Sequence, residues 1–468
     1  MIVTHVLVIG AGPAGLSAAC AASAAGARVT IVDSAGALGG QYWRHLPAER
    51  ESARQSRVQH GWATFRRMSA AIANDPHIKT ILDGQVWAID RDEDQELRVH
   101  LLVGPVDAGR ESRELRGDAL VIATGAHDRV LPFPGWTLPG VFTAGAAQAL
   151  AKGERIAIGD RVVISGAGPF LLPVASALRG VGARVISVHE ASRVRTLARG
   201  WLRHPHLLPS FARKFGELIE YGWGHVVHGI PYRLGEGVVA AHGARAVEAV
   251  TVARLDANWA PIPGTERRIN ADAVCVGHGF IPRVELAVAA GCALEGGFVV
   301  VDDECRTTAG AVFAAGEVTG IGGADGAMVE GEIAGRAAAG RVVDAALLRR
   351  RRAARDFGRR LEDAHGIRAG WREWLRDETI VCRCEEVTFG ALRRGAGETG
   401  QRSLRSIKLT TRAGLGVCQA RICGRTVEQL LGTDPDGGLV DNRPIATPIR
   451  LAELSATPFR HADPGGSP

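Results

Sequence analysis

The N-terminal segment carries the feature that most restricts what this chain can fold into. Val6 to Ile9 is a short apolar run with β-branched residues, which predicts a strand buried on both faces. It leads into the loop Gly10-Ala11-Gly12-Pro13-Ala14-Gly15 and then a predicted helix over residues 16–25. A second predicted strand, Arg28 to Val32, ends at Asp33. This order predicts a dinucleotide-binding fold, in which the helix N-terminus binds a pyrophosphate and the acid binds a ribose. The motif by itself is compatible with flavin and with nicotinamide.

A second segment repeats this order in the middle of the chain. Arg161 to Ser165 is a predicted strand, the loop is Gly166-Ala167-Gly168-Pro169-Phe170-Leu171, and Glu190 follows the next predicted strand. The repeat predicts a second dinucleotide fold inserted into the first, and Glu190 suits a free ribose 2′-hydroxyl, which favours NAD over NADP. Leu171 stands where a third small residue is usual. Three outcomes are therefore open for this site: it binds NAD, it binds an adenine nucleotide such as ATP, or it binds nothing.

Four of the eight cysteines form a quartet near the C-terminus, Cys382-x-Cys384 and Cys418-x4-Cys423. Four thiolates suit either zinc or a [2Fe–2S] cluster. Structural zinc usually takes Cys-x2-Cys pairs, and neither pair has that spacing, so the cluster is favoured. The other cysteines are scattered singly in apolar surroundings, and we expect them to be small core residues.

Composition excludes several classes of protein. The chain is 46% hydrophobic and 23% charged, as in a globular protein with an ample core. The formal charge of +6 does not predict a nucleic-acid partner, because aromatic residues are not interleaved with the arginines. No apolar run is long enough to span a bilayer, so we expect a cytoplasmic protein, with peripheral membrane contact left open. The cluster Arg349 to Arg352 predicts a solvated or partner-facing helix.

Two further segments resemble the two-dinucleotide-fold flavoprotein family typified by glutathione reductase. They are ALVIATGA at Ala119 to Ala126 and FAAGEVTG at Phe313 to Gly320. The resemblance implies an α/β flavoprotein in which Glu317 lies on the ribityl chain of FAD and the Gly39-Gly40-Gln41 turn covers the cofactor. The predicted FAD-binding residues are Gly10, Gly12, Pro13, Ala14, Gly15, Asp33, Gly40, Gln41, Ala123, Thr124, Gly125, Gly316 and Glu317. The family's reactive disulfide is missing from its usual positions, so thiol–disulfide reduction is excluded.

The C-terminal pattern VCRCEEVTFGAL…SIKLTTRAGLGVCQARICG resembles the bacterioferritin-associated-ferredoxin type of [2Fe–2S] domain. It is similar to the form fused to flavoprotein subunits of opine oxidase, hydrogen cyanide synthase and D-hydroxyproline dehydrogenase. GGQYWR, GAGPFLLPVA, VCVGHGFIPRVEL and VDDECRTTAGAVFAAGEVTGIGGADGA extend this resemblance over nearly the whole chain. The resemblance implies that Cys382, Cys384, Cys418 and Cys423 hold the cluster.

The same resemblance implies partners. An amino-acid-oxidase-like subunit with its own FAD would oxidise an amine to an imine, and a small ferredoxin-like subunit is a further candidate. An FMN would lie between subunits, lined by Lys408, Thr411, Arg412 and Gln419, unless these residues only brace the cysteine loop. The domains expected are FAD-binding (1–150 and 281–345), second dinucleotide (151–280), arginine-rich linker (346–375), [2Fe–2S] (376–440) and tail (441–468).

The function predicted from all of these features is electron transfer within a heteromeric amine, opine or imino-acid dehydrogenase. No residue of this chain is identified as catalytic for the amine. Two alternatives remain: a self-contained NADH-dependent reductase, and a nucleotide-binding scaffold for a catalytic partner.

Overall fold

The computed structural model describes residues 3–50, 59–92, 96–202, 229–400, 402–432, 443 and 445–456 of the 468. Its strands are β1 His5–Ile9, β2 Arg28–Val32, β3 Ile78–Ile81, β4 Gly84–Arg91, β5 Leu97–Val103, β6 Glu111–Gly117, β7 Ala119–Ile122, β8 Ala126–Asp128, β9 Val141–Thr143, β10 Arg161–Gly166, β11 Arg184–Glu190, β12 Tyr232–Leu234, β13 Glu236–His242, β14 Ala249–Arg254, β15 Arg267–Asn270, β16 Ala273–Gly277, β17 Phe280–Pro282, β18 Leu294–Glu295, β19 Phe298–Val299, β20 Val312–Ala314, β21 Ile380–Cys382 and β22 Val387–Thr388.

The α-helices in the same residues are α1 Pro13–Ala24, α2 Trp62–Asn74, α3 Ala144–Gly153, α4 Leu171–Gly180, α5 Val194–Trp201, α6 Glu285–Ala289, α7 Gly323–Ala338, α8 Ala345–His365, α9 Phe389–Thr399, α10 Leu404–Thr411, α11 Gly424–Leu431 and α12 Leu451–Ser455. Short 3₁₀ turns cover Ala48–Arg50 and Ala369–Trp374. Among these helices, none combines the length and the apolar composition needed to cross a bilayer.

The first unit is a parallel five-stranded sheet in the order β20-β7-β1-β2-β3. Helices α1 and α7 pack against one face, and the antiparallel sheet β4-β5-β6 packs against the other. The two helices approach very closely, because a Cβ on Gly331 would lie 2.1 Å from the Ala14 carbonyl oxygen. The edge strand β20 and helix α7 come from the chain that follows the second unit, so the first unit is built from two separate segments.

The second unit repeats this plan with the parallel order β12-β11-β10-β16-β9 and the antiparallel sheet β13-β14-β15. Strands β8 and β17 lie in the two segments that connect the units, and they pair with each other in antiparallel fashion. Strand β9 pairs with β16 in the second sheet, and helix α3 follows β9 directly. The second unit therefore begins before residue 150, where the predicted domain boundary lies. The α/β fold class is thereby confirmed, with a small helical C-terminal module formed by β21, β22 and α9–α11.

After this module the chain returns to the first unit. The Ala446 N–H donates to the Trp87 carbonyl at 2.8 Å, and the Thr447 hydroxyl donates to the Val86 carbonyl at 3.0 Å. Arg110 and Glu453 form a charge pair with a distance of 2.7 Å between Nη2 and Oε2. The described part of the predicted tail thus packs on the antiparallel sheet of the first unit.

Helix α8 carries the arginine cluster, and two of its arginines are buried rather than solvated. Arg351 and Arg360 are each 1% exposed, whereas Arg349, Arg350 and Arg352 are exposed. The prediction of a solvated or partner-facing helix was therefore wrong for these two arginines, which contact different neighbours: Arg351 contacts Glu330, and Arg360 contacts the Trp201 carbonyl. Arg351 Nε donates to Glu330 Oε1 at 3.1 Å and so ties α8 to α7.

Replacing Arg351 with methionine is expected to destabilise the fold by about 3 kcal/mol, because one side of a buried ion pair is removed. Glu330 keeps Arg355 as a partner at 3.0 Å, which limits the loss. Denaturant unfolding of the chain measures the change. The matched control is Arg349→Met, on the exposed face of the same helix, which should shift stability by about 0.5 kcal/mol or less. Equal effects in both variants would contradict a structural role for the buried pair.

Candidate cofactor sites

The first glycine loop adopts a geometry that only small residues permit. Gly10 has φ +105°, and a Cβ there would lie 2.3 Å from the Ala123 carbonyl oxygen. A Cβ on Gly15 would lie 1.7 Å from the Gly10 carbonyl oxygen, so α1 packs directly on the loop. Helix α1 begins at Pro13, where the missing N–H costs no hydrogen bond. The loop therefore presents an open helix N-terminus of the kind that binds a pyrophosphate.

A cavity of about 2180 Å³ opens in front of this loop. Its wall brings together most of the predicted FAD residues: Gly10, Gly12, Pro13, Ala14, Asp33, Gly40, Gln41, Ala123, Thr124, Gly125 and Glu317. Gly15 and Gly316 lie behind the wall and support it. The Gly316 N–H donates to Glu330 Oε2 at 3.1 Å. Gly40 packs against the loop, since a Cβ on it would lie 2.9 Å from the Gly12 Cα.

Two carboxylates on the wall of this cavity, Asp33 and Glu317, have different surroundings. Asp33 accepts hydrogen bonds from the backbone N–H groups of Ala11 at 2.5 Å and Ala35 at 2.8 Å. Burial nevertheless raises the pKa of Asp33. Burial also raises the pKa of Glu317 to about 7, although a hydrogen bond from the Gly323 backbone opposes the shift. An elongated dinucleotide is expected to lie along this wall, with its pyrophosphate at Gly12.

The second glycine loop does not open into the cavity in the same way. Helix α4 begins at Leu171, five residues after Gly166, whereas α1 begins three residues after Gly10. Leu171 is fully buried in the core of the second unit, which explains why no glycine stands there. The first turn after this loop is therefore not helical, and its N–H groups are less well arranged for phosphate.

Glu190, the acid of the second fold, is fully buried. It accepts hydrogen bonds from the N–H groups of Gly168 at 2.8 Å and Ser192 at 3.0 Å. His365, at the end of α8, lies over it with 3.4 Å between Nδ1 and Oε2. Trp201 Nε1 donates to His365 Nε2 at 3.2 Å and so holds the ring beside Glu190. A nucleotide could reach Gly166, Gly168 and Glu190 only by displacing His365, and a ligand at this site remains a prediction.

The four cysteines of the quartet converge in the C-terminal module. All eight cysteines of the chain lie in described residues, and none forms a disulfide. Cys382 ends β21, Cys423 caps α11, and Cys384 is the exposed member. The thiols form a chain of hydrogen bonds in the order Cys382, Cys423, Cys418 and Cys384. The other cysteines are buried or half-buried in the cores of the two large units.

Hydrogen bonds among the thiols favour the thiolate forms of Cys382 and Cys418. The thiol of Cys423 lowers the pKa of Cys382 to about 6 and that of Cys418 to about 5, and its own pKa is raised. The Gly414 N–H donates to Cys382 Sγ at 3.4 Å. Within the described ranges, no three potential ligands surround a single point as one metal ion requires. The four thiols of this one module would supply the four thiolate ligands that a [2Fe–2S] cluster takes.

Arg421 joins the two candidate sites. It lies between Cys418 and Cys423 in sequence, yet it lines the large cavity. Its guanidinium donates to the Ala446 carbonyl and to the Cys418 carbonyl, the latter at 3.3 Å, and pairs with Glu285 at 3.5 Å. The Arg421 carbonyl is 3.2 Å from His127 Nε2. The cysteine loop therefore forms part of the cavity wall. Sequence reasoning missed this role, and its only signal is the position of Arg421 between two cysteines.

The four residues considered for an FMN site lie on the C-terminal module, and none lines the large cavity. The Thr411 hydroxyl donates to the Ile407 carbonyl at 2.8 Å, and Arg412 Nε donates to Glu385 at 2.7 Å. Gln419 donates to the Leu415 carbonyl at 3.0 Å and accepts from Arg443 at 3.0 Å. Lys408 is half-buried. These contacts are those of residues that brace the loop, and the FMN site remains a prediction.

The two parallel sheets, the cavity and the thiol quartet define a flavoprotein with an iron–sulfur module. Comparison with protein families gives the same result. The pyridine nucleotide-disulphide oxidoreductase model matches residues 4–331, and the BFD-like [2Fe-2S] binding domain matches residues 380–433. The chain belongs to the pyridine nucleotide-disulphide oxidoreductase family, in the group that includes the A subunit of opine oxidase. It is an oxidoreductase that binds FAD and a [2Fe–2S] cluster.

Individual relatives cover most of the chain. The opine oxidase A subunit of Rhizobium meliloti is 32% identical over 97% of this chain and 87% of its own length. Hydrogen cyanide synthase subunit HcnB of Pseudomonas aeruginosa is 34% identical over 89% of this chain and 90% of its own. Among solved structures, L-proline dehydrogenase from P. horikoshii matches 97% of this chain and 79% of that chain, with 18% identity and a TM-score of 0.64. The last likeness supports the fold.

Proposed function

We propose that this chain is the electron-transfer subunit of a heteromeric dehydrogenase whose partner flavoprotein subunit oxidises an amine, opine or imino acid. The observation that carries the proposal is the contact of Arg421 with the large cavity, because it sets the cysteine loop against the FAD site. When bound, FAD supplies two-electron and one-electron chemistry and the cluster supplies one-electron chemistry. On this proposal the cysteine loop holds the cluster and, through Arg421, also forms part of the wall of the FAD cavity.

Two further observations support a partner. The relatives are named as subunits of opine oxidase and of hydrogen cyanide synthase, so each belongs to a larger enzyme. The cysteine module also exposes large apolar side chains close in sequence to the ligands: Leu409 is 77% exposed and Val417 87%. Exposed apolar side chains beside a redox site favour contact with another protein. The proposed partner is an amino-acid-oxidase-like subunit in the cytoplasm, and a small ferredoxin-like protein is a further candidate.

Anaerobic mixing of the FAD-loaded chain with NADH is expected to leave the flavin oxidised, because His365 covers Glu190 in the second dinucleotide fold. Stopped-flow absorbance of the flavin band measures the reaction. The same flavin, in complex with the partner subunit, should be bleached by one member of a panel of opines and imino acids. His365→Ala serves as the matched variant, since it uncovers Glu190 and leaves the FAD cavity unchanged.

Rapid bleaching of the wild-type flavin by NADH would instead favour a self-contained reductase. Bleaching only in His365→Ala would show that the second dinucleotide fold can bind NADH once the His365 side chain is removed. If the complex oxidises its substrate while the flavin and cluster of this chain stay oxidised, the chain is a scaffold and the proposal is wrong.

A further inference from the structure

Lys152 is a buried ammonium group on the wall of the FAD cavity. Its side chain lies near the end of α3 and is only 6% exposed. Nζ donates to the Tyr42 carbonyl at 3.4 Å and lies 5.7 Å from the centre of the Tyr42 ring. No other hydrogen bond of Lys152 is found among the described residues, and a 3.4 Å contact to a neutral carbonyl is weak compensation for a buried charge.

Carboxylates do line the cavity, but each has a partner of its own. Asp33 accepts from Ala11 and Ala35, and Asp128 accepts from Thr143 and Gly145. Glu285 pairs with Arg421, and Glu317 accepts from the Gly323 backbone. In the residues that the structure covers, none of these acids lies within ion-pair distance of Lys152. Arg44, whose side chain carbons would lie 3.1 Å from a Cβ on Gly153, adds a second positive group to this region.

Position within the fold indicates which part of a bound FAD Lys152 would face. The pyrophosphate site at Gly12 and the ribose acid Asp33 belong to the first unit. Helix α3 follows β9 in the sheet of the second unit, so Lys152 reaches the cavity from the opposite side. It meets the first unit at Tyr42, two residues beyond Gly40. The part of FAD that projects away from the first dinucleotide fold is the isoalloxazine ring.

We propose that Lys152 is the positive charge that stabilises the reduced, anionic isoalloxazine and so raises the reduction potential of the bound FAD. Burial lowers the pKa of Lys152 to about 8, so the amine is still mainly protonated at neutral pH. A buried cation without an acid partner is costly, and a flavin that gains negative charge on reduction provides the missing partner. The proposal depends on FAD binding and is independent of the partner subunit.

The test uses the full-length chain loaded with FAD, with Lys152→Met and Lys152→Arg as the variants. The two-electron midpoint potential is measured by equilibration with a reference dye, and FAD affinity is measured in parallel. Lys152→Met should shift the equilibrium toward oxidised FAD by on the order of tenfold or more, since a unit charge near the ring is lost. A tenfold shift corresponds to about 30 mV for a two-electron couple. Lys152→Arg should recover most of the shift.

The matched control is Lys79→Met, which removes one charge from an exposed position on β3 and should leave the potential unchanged. An unchanged potential in FAD-loaded Lys152→Met overturns the proposal. Weaker FAD binding without a change in potential also overturns it, because Lys152 would then bind the pyrophosphate. If the methionine variant fails to fold, Lys152→Gln replaces it under the same criterion, since its amide can still donate to the Tyr42 carbonyl.

Discussion

Replacing Cys382 with serine is expected to remove the iron–sulfur cluster and to lower turnover of the complete enzyme by on the order of 100-fold or more. Changes to groups that merely support metal ligands already cost about 10- to 100-fold, and Cys382 is a proposed ligand itself. Its thiol is almost fully buried, and the hydrogen bond from Cys423 lowers its pKa to about 6. A serine hydroxyl at this place stays protonated. Iron content, visible absorption and turnover with the partner subunit measure the effect.

Cys20→Ser is the matched control, because Cys20 is a half-buried thiol on α1 that lies outside the quartet. It should keep its iron and its activity. FAD should remain bound in Cys382→Ser, since most of the cavity wall belongs to the two large units. Full turnover in a cluster-free variant would support the scaffold function instead.

Replacing Gly15 with alanine is expected to destabilise the first unit by about 3 kcal/mol or more, the upper range for overpacking a core. The new Cβ would lie 1.7 Å from the Gly10 carbonyl oxygen, which is backbone and has no room to move. Loss of this contact separates α1 from the glycine loop and so disrupts the pyrophosphate site. Thermal unfolding and FAD content report the two effects.

Gly12→Ala makes a useful comparison at the same loop. A Cβ on Gly12 would have no described atom within 4 Å beyond its immediate neighbours, and the φ of −77° suits any residue. The apoprotein should therefore fold normally but bind FAD more weakly, because the added methyl group enters the cavity. Gly397→Ala, at an open position inside α9, should leave FAD binding unchanged and should stabilise the fold by up to about 1 kcal/mol, because alanine is the better helix former. Equal stability of the Gly15→Ala and Gly12→Ala apoproteins would argue against the direct contact between α1 and the loop.

Local pattern was enough to predict the main elements of both dinucleotide folds. The second strand is observed at Arg28–Val32, as predicted, and the strand predicted at Arg161–Ser165 is observed at Arg161–Gly166. Such elements could be predicted because apolar runs and glycine loops are set by neighbouring residues. Helix α1 begins three residues before the predicted start, because Pro13 occupies its first turn.

Contacts between distant segments could not be predicted in this way. His365 covers Glu190 across 175 positions of sequence, and Arg421 reaches the FAD cavity from the cysteine loop. Lys152 is one of only four lysines, and nothing in its neighbourhood marks it as buried. Arg351 and Arg360 resembled their exposed neighbours, because a run of arginines does not reveal which helical face is inward. In each case the packing of separate units decides the environment of the residue.

The two-segment construction of the first unit has a consequence for synthesis of the protein. The edge strand β20, Glu317 and helix α7 leave the ribosome only after the whole second unit has been made. Between Asp33 and Glu317 this delay is on the order of 15 to 60 seconds at common translation rates. During that interval α1 lacks the helix that packs on it, and the cofactor has no complete pocket to enter. FAD can therefore bind only after most of the chain has been synthesised. The second unit can fold before that point.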